Sequence, residues 1–223
     1  MFAAAIFDMD GLLLDSERSI MRAWIEAAAE AGIALSEQAY LPIVGQASRQ
    51  ADALLAALLG GQAAFEQIRE NVLAKLSRGC TFPPKPGAVA LLAALTQRGI
   101  PCAVASSTAV CEVRQRIGLA GMEHFFSALA GGDEVEAGKP DPAIYRLAAH
   151  RLAIDPARCL AFEDSTNGIR AARAAGMAVV VVPDLVQPDL REAFAMLPSL
   201  AEAEHLIGRW FGAQRSAAVE PAA

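Results

Sequence analysis

The chain has 223 residues, of which 54% are hydrophobic and 20% are charged, and a formal net charge of −6. This apolar content excludes a disordered chain, and no uncharged run approaches the roughly 20 apolar residues of a bilayer-spanning helix. Because the basic residues are scattered along an acidic chain rather than gathered into a stripe, we expect neither a membrane nor a nucleic acid as partner.

The N-terminal residues predict a buried strand. Residues 3–7 (AAAIF) form a short apolar run that ends at Asp8, as a buried parallel strand ends at the edge of its sheet. No basic region precedes this run, which is not typical of a signal peptide, so we expect a cytoplasmic protein. The cysteines form no CxxC pair and are expected to be reduced thiols. They are Cys80, Cys102, Cys111 and Cys159.

The next segment is rich in alanine and leucine, and its composition predicts helices without an intervening strand. The predicted helices cover residues 16–31, 36–43, 48–59 and 62–77. A proline cluster at residues 82–86 then breaks the chain.

Helices and strands alternate after the proline cluster. The predicted strands are 101–105, 128–130, 159–162 and 178–182, and the predicted helices are 88–97, 109–117, 142–152 and 166–175. Apolar strands that alternate with helices indicate a parallel sheet covered on both faces, so the predicted fold class is α/β with a Rossmann-like core.

The helical segment follows the first strand, at the sheet edge where such folds bind ligands, and is interpreted as an inserted helical cap. The predicted domains are a catalytic core of residues 1–15 and 83–212 and a cap of residues 16–82. The last residues, 213–223, have no apolar periodicity and are predicted to be a disordered tail.

Two carboxylates stand one residue apart directly after the first strand, in the sequence FDMDG. Asp8 and Asp10 would therefore lie on the loop that leaves the sheet. Such a pair suits a hard cation and acid–base chemistry. Taken alone, the same pattern is also that of a turn in which aspartate favours the chain reversal.

Three further clusters follow predicted strands. Ser106 and Ser107 belong to a hydroxyl cluster that either binds a phosphate or caps a helix. Lys139 lies in the proline-braced sequence GKPDP, which taken alone is a surface loop. Glu163 and Asp164 form a second acidic pair, which taken alone complements the dipole of the next helix.

These four elements, in this order, resemble the haloacid dehalogenase-like hydrolase superfamily. FDMDGLLLDSE resembles its first motif, AVASST its second, GKPDPAIY its third and AFEDSTNGIRAARAAGM its fourth. The resemblance extends to about residue 183. It is strongest to the members with a small helical cap, the group of β-phosphoglucomutase and many sugar-phosphate phosphatases.

The resemblance implies roles for the motif residues. Asp8 would be the nucleophile that forms an aspartyl phosphate, and Asp10 the general acid and base. A Mg²⁺ cofactor would be held by Asp8, the backbone carbonyl of Asp10, and Asp164, with Glu163 near or in the shell. Ser106, with its neighbour Ser107, and Lys139 would bind the transferring phosphoryl group.

The presence of Asp10 reduces the number of reaction classes that the resemblance allows. Haloacid dehalogenases lack this second aspartate, because a halide leaves without a proton. The resemblance therefore implies an enzyme that hydrolyses a small phosphate monoester, such as a sugar phosphate, as its substrate. A phosphoaspartate receiver module is a remote alternative, since the order of its acidic residues along the chain differs from the order here.

A hexose phosphate mutase resembling β-phosphoglucomutase is the other alternative. Arg49, which follows the loop that contains Gln46, and Lys75 lie where such caps carry cationic residues for a distal phosphate. We predict that these two side chains and Gln46 bind substrate, although taken alone Arg49 and Lys75 are also typical of solvated charges on helices. Ile20 argues against the mutase, because the mutases have a histidine at this place on the first cap helix. We therefore favour the phosphatase.

Overall fold

The computed structural model describes residues 1–46, 48–77 and 81–212. Its centre is a sheet of six parallel strands in the order β3-β2-β1-β4-β5-β6. The strands are β1 (Ala4–Phe7), β2 (Cys102–Ala105), β3 (Ala128–Ala130), β4 (Cys159–Glu163), β5 (Ala178–Val181) and β6 (Ala195–Met196). Strands β1, β2 and β4 are buried along their whole length, which explains why they are continuous apolar runs rather than alternating ones.

Within the described ranges, ten α-helices cover the sheet and form the inserted segment. They are α1 (Glu17–Glu30), α2 (Glu37–Tyr40), α3 (Ser48–Leu58), α4 (Gln62–Ser77), α5 (Ala88–Gln97), α6 (Val110–Leu119), α7 (Ala143–Arg151), α8 (Thr166–Ala174), α9 (Leu200–Glu204) and α10 (Ile207–Phe211). None of the helices in the described ranges is long and apolar enough to cross a membrane.

The two faces of the sheet carry separate apolar cores. On one face Phe7 and Phe162 stack with their ring centroids 4.7 Å apart and pack with residues of α5 and α6. On the other face Ile6 packs with Tyr145 of α7 and with residues of α8. Because the sheet is buried on both sides, side chains reach solvent mainly at its edges and strand ends.

The inserted helices have an apolar core of their own, in which Trp24 of α1 stacks on Phe65 of α4 at 5.7 Å. Ile20 and Leu76 pack against both this core and the core beneath α5. Two linkers join the inserted helices to the sheet, an outgoing linker (residues 8–16) and a return linker (residues 81–87). They lie side by side, since the amide of Lys85 donates to the carbonyl of Leu13 at 2.8 Å.

Ion pairs tie the helical segment to the rest of the chain. Arg18 of α1 and Lys85 of the return linker both contact Oδ1 of the buried Asp184, at 2.8 and 2.5 Å. The segment therefore enters and leaves the sheet at one point, next to the carboxyl ends of the strands.

The predicted fold class is confirmed, and the predicted strands end within one residue of those observed. The predicted helix at 36–43 is split, because Pro42 follows Leu41 and the chain continues as a 3₁₀ turn over Leu41–Ile43. Strand β6 and helices α9 and α10 were not predicted, because they are only two to five residues long.

The predicted boundaries of the catalytic core and the cap stay predictions. The predicted tail at 213–223 and Cys80 lie outside the described residues. Cys102, Cys111 and Cys159 are free thiols.

Candidate active site

A cavity of about 620 Å³ opens at the carboxyl ends of the central strands. The sheet contributes residues that directly follow β1, β2 and β4, namely Asp8, Asp10, Ser106, Ser107 and Asp164. Lys139 reaches the cavity from the loop before α7, and Glu17, Gln46 and Arg49 line it from the helical segment. The strand-end residues meet because parallel strands present their carboxyl ends at one edge of the sheet.

Lys139 joins two carboxylates in the interior. Its Nζ lies 2.5 Å from Oδ1 of Asp8 and 2.6 Å from Oε1 of Glu163. All three side chains are almost completely buried. A buried charge needs a partner to offset its lost hydration, and here one cation serves two anions.

Glu163 is saturated with hydrogen bonds. Its Oε1 accepts from Lys139 and from the hydroxyl of Tyr145 at 2.7 Å. Its Oε2 accepts from the amides of Asp164 and Ser165 and from the Ser165 hydroxyl. The residue is fully buried. Glu163 thus holds Lys139 and the start of α8, whereas Asp8 and Asp164 face the cavity.

The crowding of charges shifts the pKa of each group. Burial and the nearby Glu163 and Asp10 raise the pKa of Asp8 to about 8, although Lys139 acts in the opposite direction. Burial and the charges of Glu163 and Asp8 also raise the pKa of Asp164. Burial alone would lower the pKa of Lys139, but the attraction of Asp8 and Glu163 outweighs burial and raises it. The lysine is therefore a permanent cation.

Three carboxyl groups that could hold a metal ion come together here, those of Asp8, Glu163 and Asp164, although both oxygens of Glu163 already accept hydrogen bonds. Each offers a carboxylate oxygen, and these oxygens lie within 4.8 Å of one another. Oxygen ligands suit Mg²⁺, and a divalent cation would relieve the repulsion that raises the pKa of Asp8 and Asp164. The donor set therefore fits the cation that the sequence implies.

Two glycines allow these acids to approach the backbone. Gly11 has a φ of +83°, and a Cβ there would collide with Oδ2 of Asp164. A Cβ at Gly168, in the first turn of α8, would collide with the carboxylate of Glu163. The sequences DMDG and EDSTNG thus use glycine because the acids occupy the space that a side chain would need.

Asp10 has donors on both of its oxygens. Oδ1 accepts from the Ser16 hydroxyl at 2.7 Å and from Nη1 of Arg116 at 3.0 Å. Oδ2 accepts from the Thr108 hydroxyl at 2.9 Å and faces the Ser106 hydroxyl at 3.5 Å. The carboxylate thus contacts the linker before α1 as well as the loop and helix after β2.

The hydroxyl cluster after β2 lies at the floor of the cavity, where hydrogen bonds to the backbone hold Ser106 in place. Ser106 is buried, and its Oγ accepts from the amide of Thr108 at 3.1 Å. Its own amide donates to the carbonyl of Ala130 at 3.1 Å, across the edge of β2 and β3. Ser107, which lines the cavity beside it, is exposed.

Three residues of the predicted cap were expected to bind substrate, and they do not all lie at the cavity. Gln46 and Arg49 line the cavity. Lys75 is not among the described residues that line it, and its role toward substrate stays a prediction. Its Nζ pairs instead with Glu30 of α1 at 2.7 Å and Glu26 at 3.9 Å. Since α1 and α4 pack side by side, Lys75 braces the helical segment.

Sequence reasoning missed three residues of the site and gave no role of its own to a fourth, Thr108, which belongs to the predicted hydroxyl cluster. Thr108 and Arg116 contact Asp10, and Tyr145 contacts Glu163. Glu17 lines the cavity, and burial together with the charges of Asp10 and Asp184 raises its pKa to about 7. The sequence offered a signal for two of them, because Thr108 follows Ser106 and Ser107 directly and Glu17 is the last residue of the first motif. Arg116 and Tyr145 lie inside helices, where an arginine or a tyrosine gives no pattern that indicates function.

Comparison with known proteins identifies the family. The model of the haloacid dehalogenase-like hydrolases matches residues 2–176. This chain belongs to the haloacid dehalogenase-like hydrolase family. The prediction of the family from the four motifs is confirmed, and with it the prediction of a hydrolase. The match does not support the alternative of a receiver module.

Several members of this hydrolase family are similar over most of their length. A phosphorylated carbohydrates phosphatase of Thermotoga maritima is 32% identical over 176 residues, which cover 78% of this chain and 82% of that protein. The fructose-1-phosphate phosphatase YqaB of Escherichia coli is 32% identical over 185 residues, covering 81% and 96%. The crystal structure of CbbY from Rhodobacter sphaeroides with phosphate superposes with a TM-score of 0.74 at 30% identity, covering 91% and 96%.

Proposed function

We propose that this hydrolase is a Mg²⁺-dependent phosphatase that hydrolyses a small phosphate monoester through an aspartyl-phosphate intermediate. The observation that carries the proposal is the placement of Asp8, Asp10, Lys139 and Asp164 around one cavity at the carboxyl ends of the strands. This arrangement combines a nucleophile, a proton carrier, a fixed cation and a site for a divalent ion.

The proposed reaction has two steps, the formation of the aspartyl phosphate and its hydrolysis. An oxygen of Asp8 attacks phosphorus, the bond between phosphorus and the ester oxygen breaks, and Asp10 gives its proton to the departing alkoxide. Water then attacks the aspartyl phosphate, Asp10 takes the proton of that water, and inorganic phosphate and free Asp8 result. The second step restores the proton that the first step uses.

The contacts of Asp8 support different roles for its two oxygens. Oδ1 contacts the ammonium of Lys139, which is itself held by Glu163. Oδ2 makes no hydrogen bond to any residue within the described ranges, so we infer that it is the attacking atom. Lys139 keeps the carboxylate oriented and adds positive charge beside the phosphoryl group.

Asp8, Asp164 and the backbone carbonyl of Asp10 would hold Mg²⁺. When bound, the cation supplies charge stabilisation to the phosphoryl oxygens in the transition state. Glu163 would act through Lys139 rather than as a ligand, because both of its oxygens already accept hydrogen bonds. Ser106 and Ser107 would bind the phosphoryl group from the floor of the cavity.

The substrate we propose is a phosphorylated carbohydrate or a molecule of similar size. The helical segment places Gln46 and Arg49 over the cavity, where they would bind polar groups of the leaving alcohol. Two of the similar proteins are described as phosphatases of phosphorylated carbohydrates and of fructose 1-phosphate. A polar lid over a small cavity excludes macromolecular esters.

The mutase remains the second candidate because Arg49 lines the cavity. Two positions argue against it. Ile20 is packed between the two apolar cores, and Lys75 is bound to Glu30. Neither side chain is placed to bind or to deprotonate a second sugar hydroxyl.

The test is phosphate release from a panel of esters with Mg²⁺. The panel contains fructose 1-phosphate, sorbitol 6-phosphate, glycerol 3-phosphate, phosphoglycolate, glucose 1-phosphate and a nucleoside monophosphate. We expect turnover of at least one ester, its loss on chelation of the metal, and its loss in Asp8→Asn. The matched control is Asp52→Asn, since Asp52 is exposed on α3. Conversion of glucose 1-phosphate to glucose 6-phosphate without phosphate release would favour the mutase.

A further inference from the structure

Arg116 reaches Asp10 from the last turn of α6. Its Nη1 donates to Oδ1 of Asp10 at 3.0 Å, and its Nη2 donates to Glu112 at 2.9 Å. The guanidinium also lies 5.2 Å from the centre of the Phe82 ring, on the return linker. Only 18% of the side chain is exposed. These three contacts hold the guanidinium in one place, because its planar fork has little freedom once two donors and a face are used.

The two oxygens of Asp10 differ in what their partners can do. An arginine has N–H donors and no acceptor. A proton on Oδ1 would therefore point at a donor and lose the contact with Arg116. The partners of Oδ2 are the hydroxyls of Thr108 and Ser106. A hydroxyl both donates and accepts, so these partners tolerate Oδ2 with or without a proton.

We propose that Arg116 is a positioning residue that keeps Oδ1 of Asp10 as a fixed acceptor and leaves Oδ2 as the oxygen that carries the proton. The inference rests on the proposed function. In the first step Oδ2 gives its proton to the ester oxygen, and in the second step it takes a proton from water. Ser16 supports the assignment, because its hydroxyl donates to the same Oδ1 at 2.7 Å.

The position of Arg116 also explains why it has no direct role toward the substrate. It is absent from the lining of the cavity among the described residues, although Asp10 is part of that lining. A cation that reached the cavity would bind the phosphate dianion. Arg116 instead approaches Asp10 from the side of the two linkers, where Ser16 and Phe82 lie.

The test compares two esters that differ in their need for a proton. The alkoxide of a sugar phosphate must be protonated as it leaves, whereas 4-nitrophenolate leaves without a proton. In Arg116→Met we expect the single-turnover release of the sugar to slow about 10-fold, a fraction of the usual contribution of a general acid. We expect the release of 4-nitrophenolate to change less than about 3-fold and KM for both esters to change less than about 2-fold.

The ester used for this comparison is the sugar phosphate of the panel with the highest kcat/KM. The matched control is Arg114→Met, because Arg114 lies on the same helix and its exposed side chain pairs only at the surface with Glu123. We expect this control to behave as the unaltered protein in both assays. Thermal unfolding of both variants separates a loss of stability from a loss of positioning.

A double variant gives a second readout. If Arg116 acts through Asp10, Arg116→Met does not slow the single-turnover release of the sugar any further in an Asp10→Asn background. An equal slowing of both esters, or a further loss in the double variant, would overturn the inference. So would an unchanged rate of sugar release in Arg116→Met.

By contrast, the proposed function itself fails if the unaltered protein hydrolyses no ester or if Asp8→Asn retains activity.

Discussion

The hydroxyl of Tyr145 donates a 2.7 Å hydrogen bond to Oε1 of Glu163, and both side chains are fully buried. The same oxygen of Glu163 accepts from Lys139, whose Nζ lies 5.1 Å from the centre of the Tyr145 ring. Tyr145 therefore holds the carboxylate of Glu163 in place, and that carboxylate in turn holds the ammonium of Lys139. An element of the hydrophobic core under the sheet thus extends directly into the candidate active site.

Tyr145→Phe removes this donor and leaves the ring in place. We expect the free energy of unfolding to fall by about 1–3 kcal/mol, because a buried carboxylate loses one of its hydrogen bonds. We expect kcat to fall about 3- to 10-fold, since Lys139 becomes less firmly held. Urea unfolding and steady-state kinetics measure the two effects.

The control is the other tyrosine of the chain. Tyr40 is also buried, but its hydroxyl makes no hydrogen bond to the residues that the structure describes. We expect Tyr40→Phe to leave kcat unchanged and to alter the free energy of unfolding by less than about 1 kcal/mol. Equal losses of activity in the two variants would contradict a specific role for the contact of Tyr145 with Glu163.

Arg49 and Lys75 are predicted to differ in their effect on substrate binding. Arg49→Met should raise KM about 10-fold for a phosphorylated carbohydrate, because it removes a charged donor from the cavity. Lys75→Met should leave KM unchanged and lower stability by less than about 1 kcal/mol, since Lys75 forms an exposed ion pair with Glu30. Steady-state kinetics of the two variants measure the difference. A rise in KM in Lys75→Met would support the prediction that Lys75 binds substrate.

The motifs at the strand ends could be predicted from the sequence because their geometry follows from the fold. Once β1, β2 and β4 are parallel neighbours, Asp8, Ser106 and Asp164 must meet at one edge. The helices could be predicted for a similar reason, since residues 62–77 and 88–97 contain no proline or glycine. Here local composition and tertiary packing agree.

The contacts that reach the site from within helices could not be predicted. Arg116 and Tyr145 act at a distance of many residues along the chain from Asp10 and Glu163. Their orientation depends on how α6 and α7 pack on the sheet, which composition does not specify. Lys75 shows the converse: a resemblance gave it a role in binding substrate, but the packing of α1 against α4 gave it Glu30 as its partner.

Glu134 and Arg151 are predicted to stabilise the fold in a pH-dependent way. Hydrogen bonds from Arg151, together with one from the amide of Gly131, lower the pKa of Glu134 to about 2. A lowered pKa means that the folded state favours the carboxylate. Its contribution is therefore complete above the unfolded value of about 4.5 and is lost as the pH falls from there toward 2.

Glu134→Gln tests this contribution. Because the pair is partly exposed and screened by solvent, we expect the variant to lose only about 1 kcal/mol at pH 7. The difference between the two proteins should shrink as the pH falls and vanish near pH 2. Urea unfolding at pH 7, 4 and 2.5 measures it. A difference that stays constant over this range would show that the glutamine acts through packing and not through charge.

Binding of Mg²⁺ is predicted to strengthen as the pH rises. Burial and the neighbouring carboxylates raise the pKa of Asp8 to about 8 and also raise that of Asp164. Both groups must be deprotonated to act as ligands, so the cation competes with protons. The affinity should therefore increase from pH 6 to pH 9. Titration calorimetry in buffers with different ionisation enthalpies counts the protons that binding releases. We expect proton release at pH 7 that becomes smaller as the pH rises to 9, and less release in Asp8→Asn because one titrating ligand is gone. An affinity that does not change with pH would mean that the carboxylates of the metal centre are already ionised in the free protein.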